Sequence, residues 1–221
     1  MTRPRAASEA FVARLSRDVA NRITPIYSPL IDIVGIGADF EIARDHGVIF
    51  TSGNGVRHAP HGTGQVAYCV GRATTELAQS RGWTAQQAGG DAQSLIEQII
   101  RIHPTQRLFH LSGTYTRGNV VDQLRSAGLK VERRAVYDQP LHPLSNDAHA
   151  IMQSAPFVCV PLFSPRTATQ FAEHVIHPSS VHIIALSAAV AEPLRGLGIA
   201  SVTNAARPDA DAMRTAIASV V

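Results

Sequence analysis

"QVAYCVGRATTELAQSRGW" (Gln65–Trp83) is echoed by "VHIIALSAAVAEPLRGLGI" (Val181–Ile199), and the pair decides how the chain is read. Each stretch is an apolar run of strand length, a turn containing Gly or Ser, a helical segment and a closing Gly. Upstream of each lies a second matched pair, "GVIFTSGNGV" (Gly47–Val56) and "VCVPLFSPRTA" (Val158–Ala168). The spacing agrees: 113 residues from Phe50 to Phe163, 116 from Gly71 to Ser187 and 116 from Gly82 to Gly198. Short apolar strands alternating with helices of about ten residues call for a parallel sheet covered on both faces. Two such runs predict two similar parallel-sheet α/β domains, with a cleft between them of the kind that takes small ligands.

Working outward, "ITPIYSPLIDIV" (Ile23–Val34) and "AVYDQPLHPL" (Ala135–Leu144) are extended and punctuated by proline, which confines them to edge or connecting strands. They are expected to be the inter-domain crossings, over 23–34 and 135–144. One domain is then 35–134. The other is discontinuous, 1–30 plus 140–221, with the N-terminal segment packed with the C-terminal half. In that segment Phe11, Val12 and Leu15 mark a helical stripe, with Thr2 as cap and Pro4 in the first turn. Such a helix normally follows a strand, so the first strand is expected to be a stub or truncated.

The remaining pattern predicts strands at Gly47–Thr51, Val66–Val70, Arg107–Leu111 and Leu129–Ala135, and at Phe157–Phe163, Val181–Leu186 and about Ile199–Val202. Helices are expected after Gly53 and over Thr74–Arg81, Asp91–Ile102 and Arg117–Ala127. Others are expected over Asp147–Met152, Pro165–His174, Ala188–Leu197 and Asp209–Val220. Asp91 and Ser164 are in cap positions and Gly128 closes a helix.

Composition narrows the function. With 45% hydrophobic and 17% charged residues, the 221-residue chain can bury a core and is not disordered. The formal charge is +3, and of 20 basic residues only Lys130 is Lys. Arginine presents a bidentate fork to carboxylate or phosphate, whereas a Schiff base needs a buried Lys. The arginines are dispersed and aromatics few, which disfavours nucleic acid as a partner. No apolar run reaches membrane-spanning length and no signal peptide opens the chain, so a cytoplasmic protein is expected. Cys69 and Cys159 sit inside apolar strands and read as buried reduced thiols.

The turns after the strands are "TSGNG" (Thr51–Gly55), "VGRAT" (Val70–Thr74), "LSGTYTRG" (Leu111–Gly118), "FSPRT" (Phe163–Thr167) and "LSAAV" (Leu186–Val190). In parallel α/β folds this edge binds ligands, and hydroxyls with helix-start N–H groups suit anionic oxygens. Arg57, Arg72, Arg117 and Arg166 lie in or just beyond these turns. No GxGxxG or P-loop follows a strand, so nucleotide cofactors are unsupported. His58 and His61 are a near histidine pair, and such a pair does not make a metal site by itself. Tyr137, in the second crossing strand, is the aromatic with a polar tip best placed to reach a cleft, and Tyr115 is a second candidate.

In order, "TRP" at the start, "PLIDI" (Pro29–Ile33), "VIFTSGNGV" (Val48–Val56), "VGRATTELAQSRG" (Val70–Gly82), "LSGTYTRGNVVDQLRSAGLKVERRAVYDQP" (Leu111–Pro140), "FSPRTATQF" (Phe163–Phe171) and "LSAAVAEPLRGLG" (Leu186–Gly198) resemble the uroporphyrinogen-III synthase family over nearly the whole chain. The resemblance implies two α/β domains joined by a two-stranded β ladder, and a monomeric, cofactor-free lyase. Its substrate would be the linear tetrapyrrole hydroxymethylbilane, an octacarboxylate. The product would be uroporphyrinogen III, formed with loss of water and inversion of the last ring through a spiro intermediate. The family's tyrosine matches Tyr137, which would assist departure of the hydroxyl. Thr74 and Ser164 match residues expected to hold carboxylates. The binding set on this reading is Thr51, Ser52, Arg72, Thr74, Ser112, Gly113, Tyr115, Arg117, Ser164, Arg166 and Ser187. Where many members have Gly–Pro–Thr–Thr in the last turn, this chain has Ser187–Val190, which lacks two of those hydroxyls. A non-catalytic, two-lobed anion-binding or regulatory protein, including a degenerate relative, is the alternative.

Overall fold

The computed structural model describes residues 1–37, 40–116 and 118–221. The chain divides into a discontinuous unit, Met1–Asp32 with Pro140–Val221, and an inserted unit, Ile33–Gln139.

At the start of the discontinuous unit the single helix expected from the apolar stripe is two helices, α1 (Arg5–Val12) and α2 (Arg17–Arg22). Ser16 restarts the chain by accepting the Val19 N–H on its hydroxyl. Thr2 does not cap α1. Its buried hydroxyl donates instead to the carbonyl of Pro161, and Met1 and Thr2 accept the N–H groups of Ser28 and Leu30.

The inserted unit runs β1 (Val34–Gly35), β2 (Gly47–Phe50), α3 (Gly53–His58), β3 (Val66–Cys69), α4 (Arg72–Ser80), β4 (Thr84–Gln87), α5 (Ala92–Ile102), β5 (Leu108–Gly113), α6 (Val120–Ser126) and β6 (Val131–Asp138). Its sheet has the order β1-β6-β5-β2-β3-β4, all parallel except the short β1. The middle strands β2 and β5 are buried at every position, which is why their sequences are near-continuous apolar runs. On one face Val48, Phe50, Phe109 and Leu111 pack with Val56, Ala78 and Trp83. On the other, Ile49, Tyr68, Leu108 and Val131 meet Leu95, Ile96, Ile99 and Leu124. Asp91 caps α5 in a reciprocal capping box with Ser94. Strand β4 escapes the sequence pattern because "TAQQ" is a mostly exposed, polar edge, legible only through its pairing with β3.

The discontinuous unit closes with α7 (Asn146–Ser154), β7 (Val158–Leu162), α8 (Pro165–His174), β8 (Val181–Ala185), α9 (Ala188–Ala191), β9 (Ser201–Asn204) and α10 (Ala210–Ala218). The parallel sheet is β7-β8-β9. Val160, Leu162 and Ile183 pack under Phe171, Val190 and Leu194, while Ile184 meets Phe11, Met213 and Ile217 from α1 and α10. The helix expected over Ala188–Leu197 stops after four residues and continues as a 3-10 turn, Glu192–Leu194. Pro193 supplies no N–H to an α-helical ladder there.

The sequence echo survives as structure. β2-α3-β3-α4-β4 and β7-α8-β8-α9-β9 share one order, and the Gly that ends each second helical stretch has positive φ, 85° at Gly82 and 71° at Gly198. The two crossing segments pair antiparallel, at Val34–Asp138 and Gly35–Tyr137 in the inserted unit and at Ile31–Leu141 in the discontinuous one.

Candidate functional site

Tyr137 sits near the end of β6, and both of its ladder partners are glycines, Gly35 on β1 and Gly113 on β5. The tyrosine is 7% exposed. Its ring leans over Gly113: a Cβ there would fall 2.7 Å from Tyr137 Cε2 and 2.9 Å from Cζ. Over Gly35 stands His58, the last residue of α3, with Nδ1 2.9 Å from where a Gly35 Cβ would be. The His58 and Tyr137 rings are 5.7 Å apart between centroids and tilted by 37°. No described residue hydrogen-bonds the Tyr137 hydroxyl, so its proton is available to a ligand.

Around this tyrosine the β5 turn is tied down by Arg133. Its guanidinium donates to Ser112 Oγ and to the carbonyls of Gly113 and Thr114, and the Thr114 hydroxyl donates to Asp138. The Gln139 Oε1 atom is buried beside Gly113 without a hydrogen-bond partner. Of these neighbours, only Ser112 and Gly113 belong to the set read from sequence. Gly35, His58, Arg133 and Gln139 were missed, because their approach to Tyr137 depends on strand register.

Thr51 follows β2 directly and shares a hydrogen bond of 3.1 Å with His110 Nε2. His110 is 3% exposed, and burial, then the nearby Arg133 charge, pushes its pKa down to about 4, leaving a neutral imidazole at pH 7. A polar cavity of about 300 Å³ lies at the start of α6, lined in part by His110, Thr116, Asn119, Asp122, Arg125 and Arg133. Two guanidiniums with amide and hydroxyl donors suit a carboxylate. An apolar cavity of about 500 Å³ in the discontinuous unit, walled by side chains such as Phe11, Leu15, Ile26 and Met152, offers a charged ligand little.

The other expected residues divide. Ser52 occupies the position before α3 without spending its hydroxyl on a cap. Arg72 projects into solvent, its side chain 86% exposed, and pairs with Glu76 at 2.6 Å. Thr74, two residues on, is buried. Tyr115 is 60% exposed, and Arg117 lies outside the described residues. In the discontinuous unit Ser164 caps α8, accepting the Thr167 N–H at 3.1 Å and sharing a bond with its hydroxyl. Arg166 is half-buried in the first turn of α8. Ser187 precedes α9 with its hydroxyl uncommitted to a cap.

Cys69 and Cys159 are free thiols, pushed by burial up to about 12 and about 11. Among the described residues no three His, Cys, Asp or Glu side chains gather as a metal site, and no helix is long and apolar enough to cross a membrane.

The profile of the family described as uroporphyrinogen-III synthase HemD matches residues 13–214. No curated protein matches. Among solved structures the fold resembles a uroporphyrinogen-III synthetase from Helicobacter pylori, with a TM-score of 0.69 at 16% identity, covering 87% of this chain and 91% of the other. It also resembles a mutant uroporphyrinogen III synthase from Thermus thermophilus, with a TM-score of 0.50 at 13% identity, covering 97% and 95%.

Proposed function

The chain belongs to the uroporphyrinogen-III synthase family, and from that premise we propose that it converts hydroxymethylbilane to uroporphyrinogen III. Tyr137 donates a proton to the departing hydroxyl of the substrate, so that water leaves and an azafulvene cation remains. The substituted carbon of the last pyrrole attacks that cation and gives a spiro intermediate. This fragments at the original methylene bond, and the ring's other, unsubstituted α-carbon closes on the freed methylene, inverting the ring. The proton that carbon loses returns to the phenolate, and the balance is loss of one water.

The carbinol ionises readily, so the harder task is to hold the ends of the tetrapyrrole so that the substituted carbon attacks first. Anion contacts serve that purpose. The polar cavity with Arg125 and Arg133 supports a polycarboxylate ligand, as do the uncommitted hydroxyls of Ser52 and Ser187. The observation that carries the reading at the reacting end is the Tyr137 hydroxyl, which is held in a narrow slot and has no partner within the described chain. A weakly acidic phenol donor of this kind assists a leaving group as a general acid or hydrogen-bond donor.

The test is to feed freshly generated hydroxymethylbilane to the purified protein and separate the oxidised type I and type III porphyrins. Type III well above the uncatalysed background is the expected result. Type I alone, from folded protein, would overturn the reading in favour of a non-catalytic anion-binding relative.

A further inference from the structure

We infer that His58 is a positioning residue that locks the Tyr137 phenol in its working orientation, and that Gly35 is there to admit it. The inference rests on Tyr137 being the proton donor proposed above, but the geometry that carries it is independent of the reaction.

A tyrosine flanked across the sheet by two glycines has no neighbouring Cβ on either side to fix its ring. On the Gly113 side the backbone itself serves, because the ring rests on Gly113. On the Gly35 side the space is filled from above by His58, whose imidazole lies against Gly35 and faces the Tyr137 ring at 5.7 Å. The phenol is therefore held between a strand backbone and an imidazole. Rotation of the ring towards Gly35 meets His58.

Two further features fit this role better than that of a surface histidine. His58 is anchored at the end of α3, whose Gly55 packs so closely on β5 that a Cβ there would meet the Leu111 carbonyl at 2.5 Å, so the helix cannot shift outward without losing that contact. The charged groups around His58 are Arg57 on its own helix and Arg81 from the turn after α4, with Tyr137 facing it from β6. Burial and these two cations favour the neutral imidazole. A neutral ring packs on the phenol without adding charge beside it.

Three variants test this: His58→Ala, His58→Phe and Gly35→Ala. Gly35 does not have positive φ, so alanine is tolerated by the backbone while its Cβ displaces His58. In the isomer assay His58→Ala and Gly35→Ala are expected to lower kcat about tenfold or more with KM within about twofold, as misplacement of a reacting group does. His58→Phe should recover most of the loss by restoring a ring.

A second readout needs no activity. With 13C-labelled tyrosine rings, the Tyr137 signals are identified by their loss in Tyr137→Phe. They should move with pH through the His58 titration, shift in His58→Ala and Gly35→Ala, and cease to follow that titration in His58→Phe. Unchanged Tyr137 signals in His58→Phe and Gly35→Ala would overturn the positioning role, whatever the assay gives. Shifted signals together with wild-type kcat in both His58→Ala and Gly35→Ala would also overturn it. Absence of type III product from the wild type, with the Tyr137 signals responding as expected, would remove the proposed reaction and leave the His58–Tyr137 lock standing.

Discussion

Gly113 lies across the ladder from Tyr137 so closely that a Cβ on it would stand 2.7 Å from the phenol Cε2. Nothing larger than glycine fits without moving the ring or the strand. Gly113→Ala is therefore expected to cost about 1–3 kcal/mol through overpacking and to lower formation of type III product at least tenfold. Tyr137→Phe, which keeps the ring, should leave the denaturation midpoint nearly unchanged while activity falls. Urea melts read beside the isomer assay separate the two effects.

His110 makes stability depend on pH. Its folded-state pKa, about 4, lies below the 6.5 of the free side chain. Between those values the unfolded chain binds a proton that the folded chain refuses, so stability rises with pH across that window. The contribution is fully present above about pH 6.5 and is lost as pH falls towards 4, on the order of 3 kcal/mol in all. His110→Asn should flatten the urea midpoint between pH 6.5 and 4.5 relative to wild type. An equally steep fall in the variant would assign the effect to other groups.

Ser164 and Ser187 occupy successive strand-to-helix turns of the discontinuous unit but do different work. Ser164 caps α8 and Ser187 caps nothing. Ser164→Ala is expected to destabilise by about 1 kcal/mol. Ser187→Ala should leave stability within about 0.5 kcal/mol, and a rise in its KM would mark a ligand contact. Thermal melts and steady-state kinetics on the pair decide this.

The repeat has its own asymmetry. Gly82 and Gly198 both hold positive φ, but a Cβ on Gly82 would run into the Gly62 carbonyl, whereas the nearest atom to one on Gly198 is Pro178 Cγ at 3.9 Å. Gly82→Ala should exceed the roughly 1–3 kcal/mol of backbone strain alone, and Gly198→Ala should fall within it. Equal losses in denaturant titrations would contradict the close approach at Gly62.

Much of the fold was legible from local pattern. The apolar runs of β2, β5, β7 and β8, the caps at Asp91 and Ser164 and the closing glycines all announce themselves within about ten residues. Elements that lack a local signal were misread or missed. "TAQQ" is a strand only because β3 offers it an edge, and Ala188–Leu197 reads as one helix until Pro193 interrupts its ladder.

The same division runs through the site. By itself the sequence determined two α/β repeats of parallel strands, which turns follow those strands, and that a tyrosine stands on a crossing strand, because hydrophobic period and turn chemistry are local properties. Only the tertiary structure decided that Tyr137 is seated between Gly35, 102 positions away in the chain, and Gly113, with His58 above. Strand register sets those neighbours. Register is fixed by the packing of both sheet faces at once, since a slip of one residue would carry every side chain of the strand to the opposite face.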